Sequence, residues 1–320
     1  DLDDLVRAGT RPGEAVCRSL DERIAGHFSQ AVLSLLENAP ADCRDVAAIG
    51  SHGQTVWHEP GGDDPVSLQL GAPGRIASRT GIVTVGDFRR ADIEAGGQGA
   101  PLAPLLHRAL FRPAAGTRVV LNLGGIANIS VITDEGGVSG FDTGPANCLL
   151  DAWVRLQRGE DFDRGGAWAA GGRIDSSLLE RLLADEYFRA PAPKSTGIEY
   201  FNLSWLEQKG AASVTSARAV QSTLAELTAI TVANAILPFE PADVLICGGG
   251  IHNSDLVSRL ENRLPATPVR SSSDYGLDPD WVEAVLFAWL ARERIAGRQQ
   301  DTRGITGARE PVLLGRITEP

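Results

Sequence analysis

The residues best suited to chemistry are Asp142 and the glycines near it in the sequence. Apolar runs predict two strands, over 119–123 and 126–133, joined by a Gly124-Gly125 turn. Glycine lacks a Cβ, so such a turn lets the backbone come close to a ligand. Pro145 suits the first turn of a helix, which would place Asp142 at a strand end, facing helix donors that favour anions. A carboxylate there could act beside a bound phosphate, or it could simply cap the helix.

A second glycine-rich junction lies in the C-terminal half of the chain. The apolar run Val244–Cys247 predicts a buried strand, and Gly248, Gly249 and Gly250 follow it at once. A helix is predicted over 255–264. Strand, glycines and helix N-terminus together form a nucleotide-binding pattern, although a glycine run alone is a weak signal.

A polar loop after a predicted strand over 46–50 contains candidate sugar ligands. His52 and Gln54 could bond hydroxyl groups, and Trp57 could stack on a sugar ring. Ligand-binding loops of α/β folds follow buried strands in this way. A histidine in such a loop can also serve only to satisfy backbone groups.

Four further candidates lie in other loops and in the last helix. Gly97 and Gln98 belong to a glycine loop that leads into a predicted helix and could cradle an anion or form a tight turn. Lys194, among turn-forming residues, could meet an anionic group or belong to a surface connection. Glu283 lies between apolar neighbours, so it is partly buried with a partner or on the outer face of its helix.

Length and composition are those of a soluble globular protein: 320 residues, 43% apolar and 22% charged. The formal net charge of -11 argues against nucleic acid or an anionic membrane as the main partner. No apolar run approaches the roughly 20 residues that span a bilayer, and the acidic start is unlike a signal peptide. The cysteines lack metal-site spacing and indicate reduced thiols in the cytoplasm. They are Cys17, Cys43, Cys148 and Cys247.

The order of elements predicts α/β architecture with two domains and a cleft between them. The break at 113–116 is the candidate boundary, giving an N-terminal domain over 1–114 and a nucleotide- and sugar-binding domain over 115–302. Apolar residues recur every three or four positions over Glu14–Asn38 and predict an amphipathic helix. The small apolar residues of Ala217–Leu237 predict a long helix packed flat on a sheet.

Six sequence blocks, taken in order, closely resemble the anhydro-N-acetylmuramic acid kinases, which are sugar kinases of the actin/hexokinase-like (ribonuclease H-like) fold. The resemblance covers nearly the whole chain. The blocks are Ser51-His52-Gly53-Gln54-Thr55, Ala95-Gly96-Gly97-Gln98-Gly99-Ala100-Pro101, Asn122-Leu123-Gly124-Gly125-Ile126-Ala127-Asn128, Phe141-Asp142-Thr143-Gly144-Pro145, Pro193-Lys194-Ser195-Thr196-Gly197 and Cys247-Gly248-Gly249-Gly250.

The resemblance implies an ATP-dependent enzyme of peptidoglycan recycling. Such an enzyme opens the ring of 1,6-anhydro-N-acetylmuramic acid with water and phosphorylates O6, giving N-acetylmuramic acid 6-phosphate and ADP, with ATP and Mg²⁺. It further implies a cytoplasmic homodimer and a C-terminal segment, 303–320, that joins the N-terminal domain. Asp142 matches the general base that activates water.

The resemblance also implies binding roles for the remaining candidates. The nucleotide and phosphate residues are Asn122, Gly124, Gly125, Gly248, Gly249 and Gly250. The residues that border the sugar and phosphates are His52, Gln54, Asp92, Gly97, Gln98, Lys194 and Glu283.

The chain departs from the family at its start. It contains no methionine, and nothing before Asp1 supplies the family's first phosphate motif and first strands. We therefore expect a truncated chain that is impaired in ATP use. This leaves two alternatives: another sugar kinase of the same fold, or a non-catalytic sugar-binding or regulatory protein. A glycosidase is a weaker alternative, because the glycine motifs would have no task.

Overall fold

The structure, a computed structural model, describes residues 12–40, 45–61, 65–192, 194–214 and 216–320. The expectations for the chain start, Cys43 and Pro193 lie outside the described residues. The chain forms two compact units: the first holds the chain through Leu106 together with Glu283–Pro320, and the second is His107–Val282. The boundaries predicted from the sequence, after residues 114 and 302, lie further along the chain. The chain passes between the units inside or at the start of helices, where no loop marks the change.

The elements agree closely with the periodicity of the sequence, and Glu14–Asn38 and Ile126–Thr133 have the predicted bounds. The α-helices of the described residues are α1 (Glu14–Asn38), α2 (Pro73–Thr80), α3 (Arg90–Glu94), α4 (Ala103–Phe111), α5 (Asn147–Arg158), α6 (Ala167–Ala170), α7 (Ser176–Leu183), α8 (Glu186–Arg189), α9 (Leu203–Gln208), α10 (Ala217–Ile236), α11 (Ser254–Arg263) and α12 (Val282–Ile295). The strands are β1 (Ile49–Gly50), β2 (Gln54–Glu59), β3 (Val66–Leu70), β4 (Thr84–Gly86), β5 (Thr117–Leu123), β6 (Ile126–Thr133), β7 (Val138–Pro145), β8 (Asp243–Cys247), β9 (Val269–Ser271) and β10 (Arg316–Thr318).

The second unit is built on a five-stranded mixed sheet with the order β7-β6-β5-β8-β9. Strands β5, β6 and β7 form an antiparallel meander, and β8 and β9 continue the sheet in parallel. Arg118 on β5 and Asp243 on β8 are cross-strand neighbours and form a bidentate ion pair at 2.7 and 2.8 Å. The pair fixes the register at the end of the sheet that lies opposite the Gly124-Gly125 turn.

Both faces of this sheet are covered, so alternate residues of each strand enter different environments. Val119, Leu121 and Leu123 on β5 belong to the main apolar core, together with Ile129 on β6 and residues of α10. On the other face, the buried Ser130 accepts or donates a 2.8 Å hydrogen bond with His107 of α4. The period-2 pattern of β5 and β6 thus predicts which side chains face the core.

Helix α10 lies in the core of the second unit. With its extension to Phe239 it is long and apolar enough to cross a membrane, the one such helix in the described part of the chain, but 67% of its apolar 18-residue window is buried inside the fold. A helix that is apolar on all sides fits a protein core. Thr228 ties α10 to the sheet by donating to the Pro145 carbonyl at 2.9 Å.

The first unit contains a three-stranded sheet in the order β1-β4-β10 and a β2-β3 hairpin. Strand β10 pairs antiparallel with β4, so the C-terminal segment is part of this unit. Helix α1 packs near the hairpin, and its Asp21 accepts hydrogen bonds from the Gly71 and Ala72 N–H groups at 2.6 and 2.9 Å. The α/β class predicted from the sequence is confirmed.

Candidate active site

Three polar residues form a row across the antiparallel meander of the second unit. Asn122 on β5 pairs with Asn128 on β6, and Asn128 pairs with Asp142 on β7. Directly paired residues of neighbouring strands point to the same face of a sheet. The row lies on the face opposite the main apolar core, at the end of the sheet next to the Gly124-Gly125 turn.

Asp142 does not lie at the end of its strand, and the prediction that placed it there is wrong. It is inside β7, which continues to Pro145, and α5 begins at Asn147. The register shifts beside Asp142, because Thr143 is an extra residue opposite the Ala127–Asn128 step. Such a bulge re-aims the side chains around it. The hydroxyl of Thr143 fixes the bulge by donating to the Ala127 carbonyl at 3.2 Å.

The Asp142 carboxylate is held by the loop that contains Lys194. Its Oδ2 accepts a hydrogen bond from the Thr196 N–H at 3.0 Å. The Asp142 N–H donates to the Lys194 carbonyl at 3.0 Å, and the Tyr187 hydroxyl donates to the Asp142 carbonyl at 2.7 Å. The loop thus runs beside β7 and fixes the backbone on both sides of the carboxylate.

Burial raises the pKa of Asp142 to about 6; the Thr196 hydrogen bond opposes this rise, and the negative charge of Glu199 adds to it. Only one carboxylate hydrogen bond offsets the desolvation of this group. At neutral pH the group is ionised, yet it is much more basic than an ordinary aspartate. A carboxylate with this pKa is well suited to accept a proton from water.

The Gly124-Gly125 turn caps the helix that follows β7. The Gly124 carbonyl accepts from the Asn147 N–H at 3.1 Å, and the Gly125 carbonyl accepts from the N–H groups of Ala146 and Cys148 at 3.0 Å each. The predicted role of these helix donors in binding an anion is therefore wrong, because the turn already occupies them. Within the described residues the Gly125 N–H has no acceptor, so the turn itself offers a donor to a ligand.

The glycines of the two motifs fall into two groups. Gly248 has a φ of +80°, and a Cβ there would clash with Asn122 Oδ1; a Cβ on Gly250 would lie 2.5 Å from the Leu123 Cβ. These two glycines are required by packing against the hairpin. Gly249 has open space around it, and a Cβ on Gly124 would meet nothing closer than 3.4 Å.

Gly125 belongs with Gly249 and Gly124, because its nearest neighbours, Cys148 and Ile198, would lie 3.7 and 3.8 Å from a Cβ. The fold does not require glycine at these three positions. Their bare backbone leaves accessible space beside the Asn122-Asn128-Asp142 row, as a phosphate-binding backbone needs.

Lys194 lies in this unit but its ammonium is already engaged. Nζ donates to the Tyr187 carbonyl at 2.9 Å and lies 4.6 Å from the centre of the Tyr187 ring, and burial lowers its pKa. The predicted contact of Lys194 with an anionic group stays a prediction. What the structure shows is that Lys194 helps to hold the loop that contacts Asp142.

A buried aspartate, Asp185, holds residues on both sides of the same loop. It accepts hydrogen bonds from Trp205 Nε1 and the Tyr200 hydroxyl at 2.9 Å, and from Lys209 at 2.7 Å. Although burial acts against ionisation, these donors and the Tyr187 N–H lower the pKa of Asp185 to about 2. The hydrogen bonds keep Asp185 charged and fix the residues that surround Asp142.

Two predicted residues of the first unit, His52 and Gln54, lie at the start of the β2-β3 hairpin. His52 Nε2 accepts from Arg89 at 3.0 and 3.1 Å, and its ring stacks on Phe287 at 4.5 Å. Burial, and then the charge of Arg89, lower the pKa of His52 to about 4, so the imidazole is neutral. Gln54 is exposed, and its amide contacts only the Thr55 carbonyl among the described residues, at 3.3 Å.

Arg89 is a candidate that the sequence did not single out. Its half-buried guanidinium bonds a neutral imidazole, and no ion pair with a carboxylate is found for it within the described residues. Burial lowers its pKa, and the charge of Glu283, exposed near the start of α12, opposes this effect. His52, Arg89 and Glu283 therefore lie in one region of the first unit.

Asp92 is fully buried, and both of its oxygens are used inside the fold. Oδ2 accepts from the Gly99 N–H and Oδ1 from the Thr306 hydroxyl, each at 2.7 Å. A Cβ on Gly97 would clash with Asp92. The predicted substrate contact of Asp92 needs revision: it positions the glycine loop. Gln98 is exposed at the tip of that loop and stays a candidate.

Comparison with known proteins identifies the family. The model of the anhydro-N-acetylmuramic acid kinase family matches residues 2–320. Anhydro-N-acetylmuramic acid kinase of Xanthomonas oryzae pv. oryzae strain MAFF 311018 is 50% identical over 300 residues, which cover 93% of this chain and 80% of that one. The chain belongs to the anhydro-N-acetylmuramic acid kinase family. The same-named protein of Xylella fastidiosa is 49% identical over 300 residues, covering 93% and 79%.

Membership of this kinase family confirms the resemblance seen in the six sequence blocks, and with it the actin/hexokinase-like fold class. A solved ROK family glucokinase from Streptomyces griseus, in complex with glucose and AMPPNP, is 16% identical with a TM-score of 0.36, covering 84% of this chain and 88% of that one. The prediction that the N-terminal strands are missing stays a prediction.

The buried position of Asp92 gives a test of its revised role. Replacing Asp92 with Ala leaves the Gly99 N–H and Thr306 hydroxyl without their acceptor, so we expect the free energy of unfolding to fall by about 2–4 kcal/mol. Chemical denaturation measures this change. As a control, Gln98→Ala removes an exposed side chain and should change stability by less than about 0.5 kcal/mol. An Asp92→Ala variant as stable as the parent would return Asp92 to the list of candidate substrate ligands.

Proposed function

We propose that this chain is an ATP-dependent kinase that opens 1,6-anhydro-N-acetylmuramic acid with water and phosphorylates O6, giving N-acetylmuramic acid 6-phosphate and ADP in peptidoglycan recycling. Family membership supports this reaction. The observation that carries it is the position of Asp142, a basic carboxylate on the same sheet face as Asn122, which lies two strands away next to the Gly124-Gly125 turn.

In this reaction Asp142 is the general base. Water is a poor nucleophile, and a positioned carboxylate that takes its proton accelerates attack by about a hundredfold to ten-thousandfold. The water oxygen bonds to C1 as its proton passes to Asp142, and the bond between C1 and O6 breaks with its electron pair on O6. O6 then bonds to the γ-phosphorus, and ADP leaves with the electrons of the broken phosphate bond.

Phosphoryl transfer depends on positioning and charge neutralisation rather than on covalent help. The Gly125 N–H and the open backbone at Gly124 and Gly249 are suited to bind the phosphates. Asn122, Gly248 and Gly250 shape this site, because they pack the loop after β8 against the β5-β6 hairpin. Mg²⁺, which we expect to accompany ATP, neutralises phosphate charge. No group of three potential His, Cys, Asp or Glu ligands occurs in the described ranges, so phosphate oxygens and water would supply most of its coordination.

The sugar- and phosphate-binding residues of the first unit remain part of the proposal. Arg89 adds to them, because its charge is paired with a neutral His52 and is available to an anionic substituent of the sugar. The predicted residues that keep this role are His52, Gln54, Gly97, Gln98 and Glu283 in the first unit and Lys194 in the second.

We also propose that the protein is a cytoplasmic homodimer, which is the habit of the family it resembles. Cys17, Cys148 and Cys247 are free, as thiols are in a reducing compartment. Sedimentation equilibrium of the purified protein tests the dimer.

The general-base role predicts opposite effects of Asp142→Asn on activity and stability. Turnover should fall about 10²- to 10⁴-fold in an ADP-release assay of the full-length gene product, while nucleotide binding changes little. Because the folded-state pKa is raised, ionised Asp142 destabilises the fold above about pH 6. The variant should therefore be more stable by about 1–3 kcal/mol at pH 7–8, and this difference should vanish as the pH falls toward 4. Retained turnover would remove Asp142 from the mechanism.

Glu199→Gln tests the pKa of the base without changing the base itself. Removing this negative charge lowers the pKa of Asp142, so the acid limb of the kcat/KM profile should move from near pH 6 to lower pH. Glu207→Gln, the same change at another exposed glutamate, is the matched control and should leave the limb in place. An acid limb that does not respond to Glu199→Gln would belong to another group.

The two groups of glycines give a separate prediction. Gly249→Ala should fold normally but weaken binding of a non-hydrolysable ATP analogue by about tenfold or more, which calorimetry measures. Gly250→Ala should lower stability by about 1–3 kcal/mol, because its Cβ meets Leu123. Gly61→Ala, also in open space, is the control for both measurements. Unchanged nucleotide affinity in Gly249→Ala would place the nucleotide elsewhere.

A further inference from the structure

Asn128 is the middle member of the polar row and the one residue of that row to which the sequence motifs give no role. It pairs directly with Asn122 on one side and with Asp142 on the other. Its side chain is half-buried. Within the described residues its carboxamide has no hydrogen-bond partner.

The surroundings of Asn128 make a purely structural role a poor explanation. Asparagine is depleted in strand interiors, where β-branched and aromatic residues fit better. The next residue of β6 on the same face, Ser130, is buried and bonds His107 at 2.8 Å. The Ser130 hydroxyl is therefore paired within the fold. The Asn128 amide, by contrast, is partly exposed to solvent and has no hydrogen-bond partner among the described residues.

The position of Asn128 matches the middle of the reaction. Neighbouring strands lie about 4.8 Å apart, so about 9.6 Å separates the Asn122 strand from the Asp142 strand. The attacking water must lie within about 3 Å of the carboxylate, and each of the two bond-forming contacts is about 3–3.5 Å before reaction. Along a line drawn from the carboxylate across the meander, the water, C1 and the bond from C1 to O6 place O6 about 7–8 Å from the carboxylate, between Asn128 and Asn122 and within reach of the Asn128 amide.

We propose that Asn128 is a catalytic residue that donates a hydrogen bond from its side-chain amide to sugar O6 while this oxygen leaves C1 and attacks phosphorus. The proposal rests on the proposed function. O6 gains negative charge when its bond to C1 breaks and loses it when the bond to phosphorus forms. A fixed donor at this position stabilises the oxygen when its charge is greatest.

The choice of an amide has a chemical reason. A lysine or a protonated histidine could transfer its proton to O6 and so remove the electron pair that must attack phosphorus. An amide N–H donates a hydrogen bond but does not give up its proton at any ordinary pH. It is also uncharged, so it neither lowers the basicity of the neighbouring Asp142 nor repels the phosphate.

The test compares Asn128→Ala and Asn128→Ser with the parent in the full-length gene product. Removing one such donor costs about 10²- to 10³-fold in kcat, so Asn128→Ala should show a loss of this size with little change in KM for ATP. Asn128→Ser keeps a shorter donor and should fall between the two. The acid limb of the pH profile should stay in place, because Asp142 is unchanged. Asn262→Ala, the same change at an exposed asparagine of α11, is the control and should retain full kcat.

The outcomes separate this inference from the proposed function. If the parent turns over 1,6-anhydro-N-acetylmuramic acid and both Asn128 variants keep kcat near the parent value, the role of Asn128 is wrong and the proposed function stands. A loss confined to KM for ATP also overturns it, because Asn128 would then bind nucleotide only. No turnover by the parent overturns the proposed function, and this inference with it. Circular dichroism and denaturation of both variants exclude misfolding as the cause of a loss.

Discussion

The geometry of the site in the second unit depends on the three hydrogen bonds that the Gly124-Gly125 turn accepts from the start of α5. They lock the hairpin of β5 and β6 to the helix that follows β7. A trans peptide holds its C=O and N–H in opposite directions. Because the Gly124 carbonyl faces the helix, the N–H of Gly125 in the same peptide faces away from it. The interaction that satisfies the helix thus presents a donor to a ligand.

The same constraint explains which glycines are fixed by the fold. The hairpin can meet the loop after β8 only if Gly248 and Gly250 have no side chains, since Asn122 and Leu123 occupy that space. Gly249 projects from between them into open space. Packing requires glycine at two positions of this motif and does not require it at the third, which is the position proposed to bind phosphate. A glycine motif in a sequence therefore combines two separate requirements that only the structure distinguishes.

The sequence allowed most of the fold to be predicted, because the dominant signals are local. Apolar periodicity located α1 and β6 with correct bounds, and the order of motifs identified the family. The wrong expectations concern contacts between distant residues. Nothing local shows that Asp92 is bonded by Thr306, which lies 214 positions away, or that the turn at Gly124 occupies the donors of α5.

The bulge at Thr143 was not predicted either. One additional residue in so short a strand does not visibly change the alternation of apolar and polar residues. Asn128 could have been found by another route. Once β5, β6 and β7 are aligned as a meander, their polar residues at Asn122, Asn128 and Asp142 fall opposite one another. A cross-strand comparison of polar positions would have been the signal, whereas a motif search treats each block alone.

The buried aspartates show how the fold separates structural from chemical carboxylates. Asp92 and Asp185 each accept hydrogen bonds at both oxygens, and Asp185, with four donors, has a pKa of about 2. Asp142 accepts only one, and its pKa is about 6. Asp142 and Asp185 both lose hydration on burial, so the number of internal donors accounts for the opposite directions of their pKa shifts. The under-satisfied carboxylate destabilises the fold when it is ionised, and the same lack of donors gives Asp142 the raised pKa that the proposed general base needs.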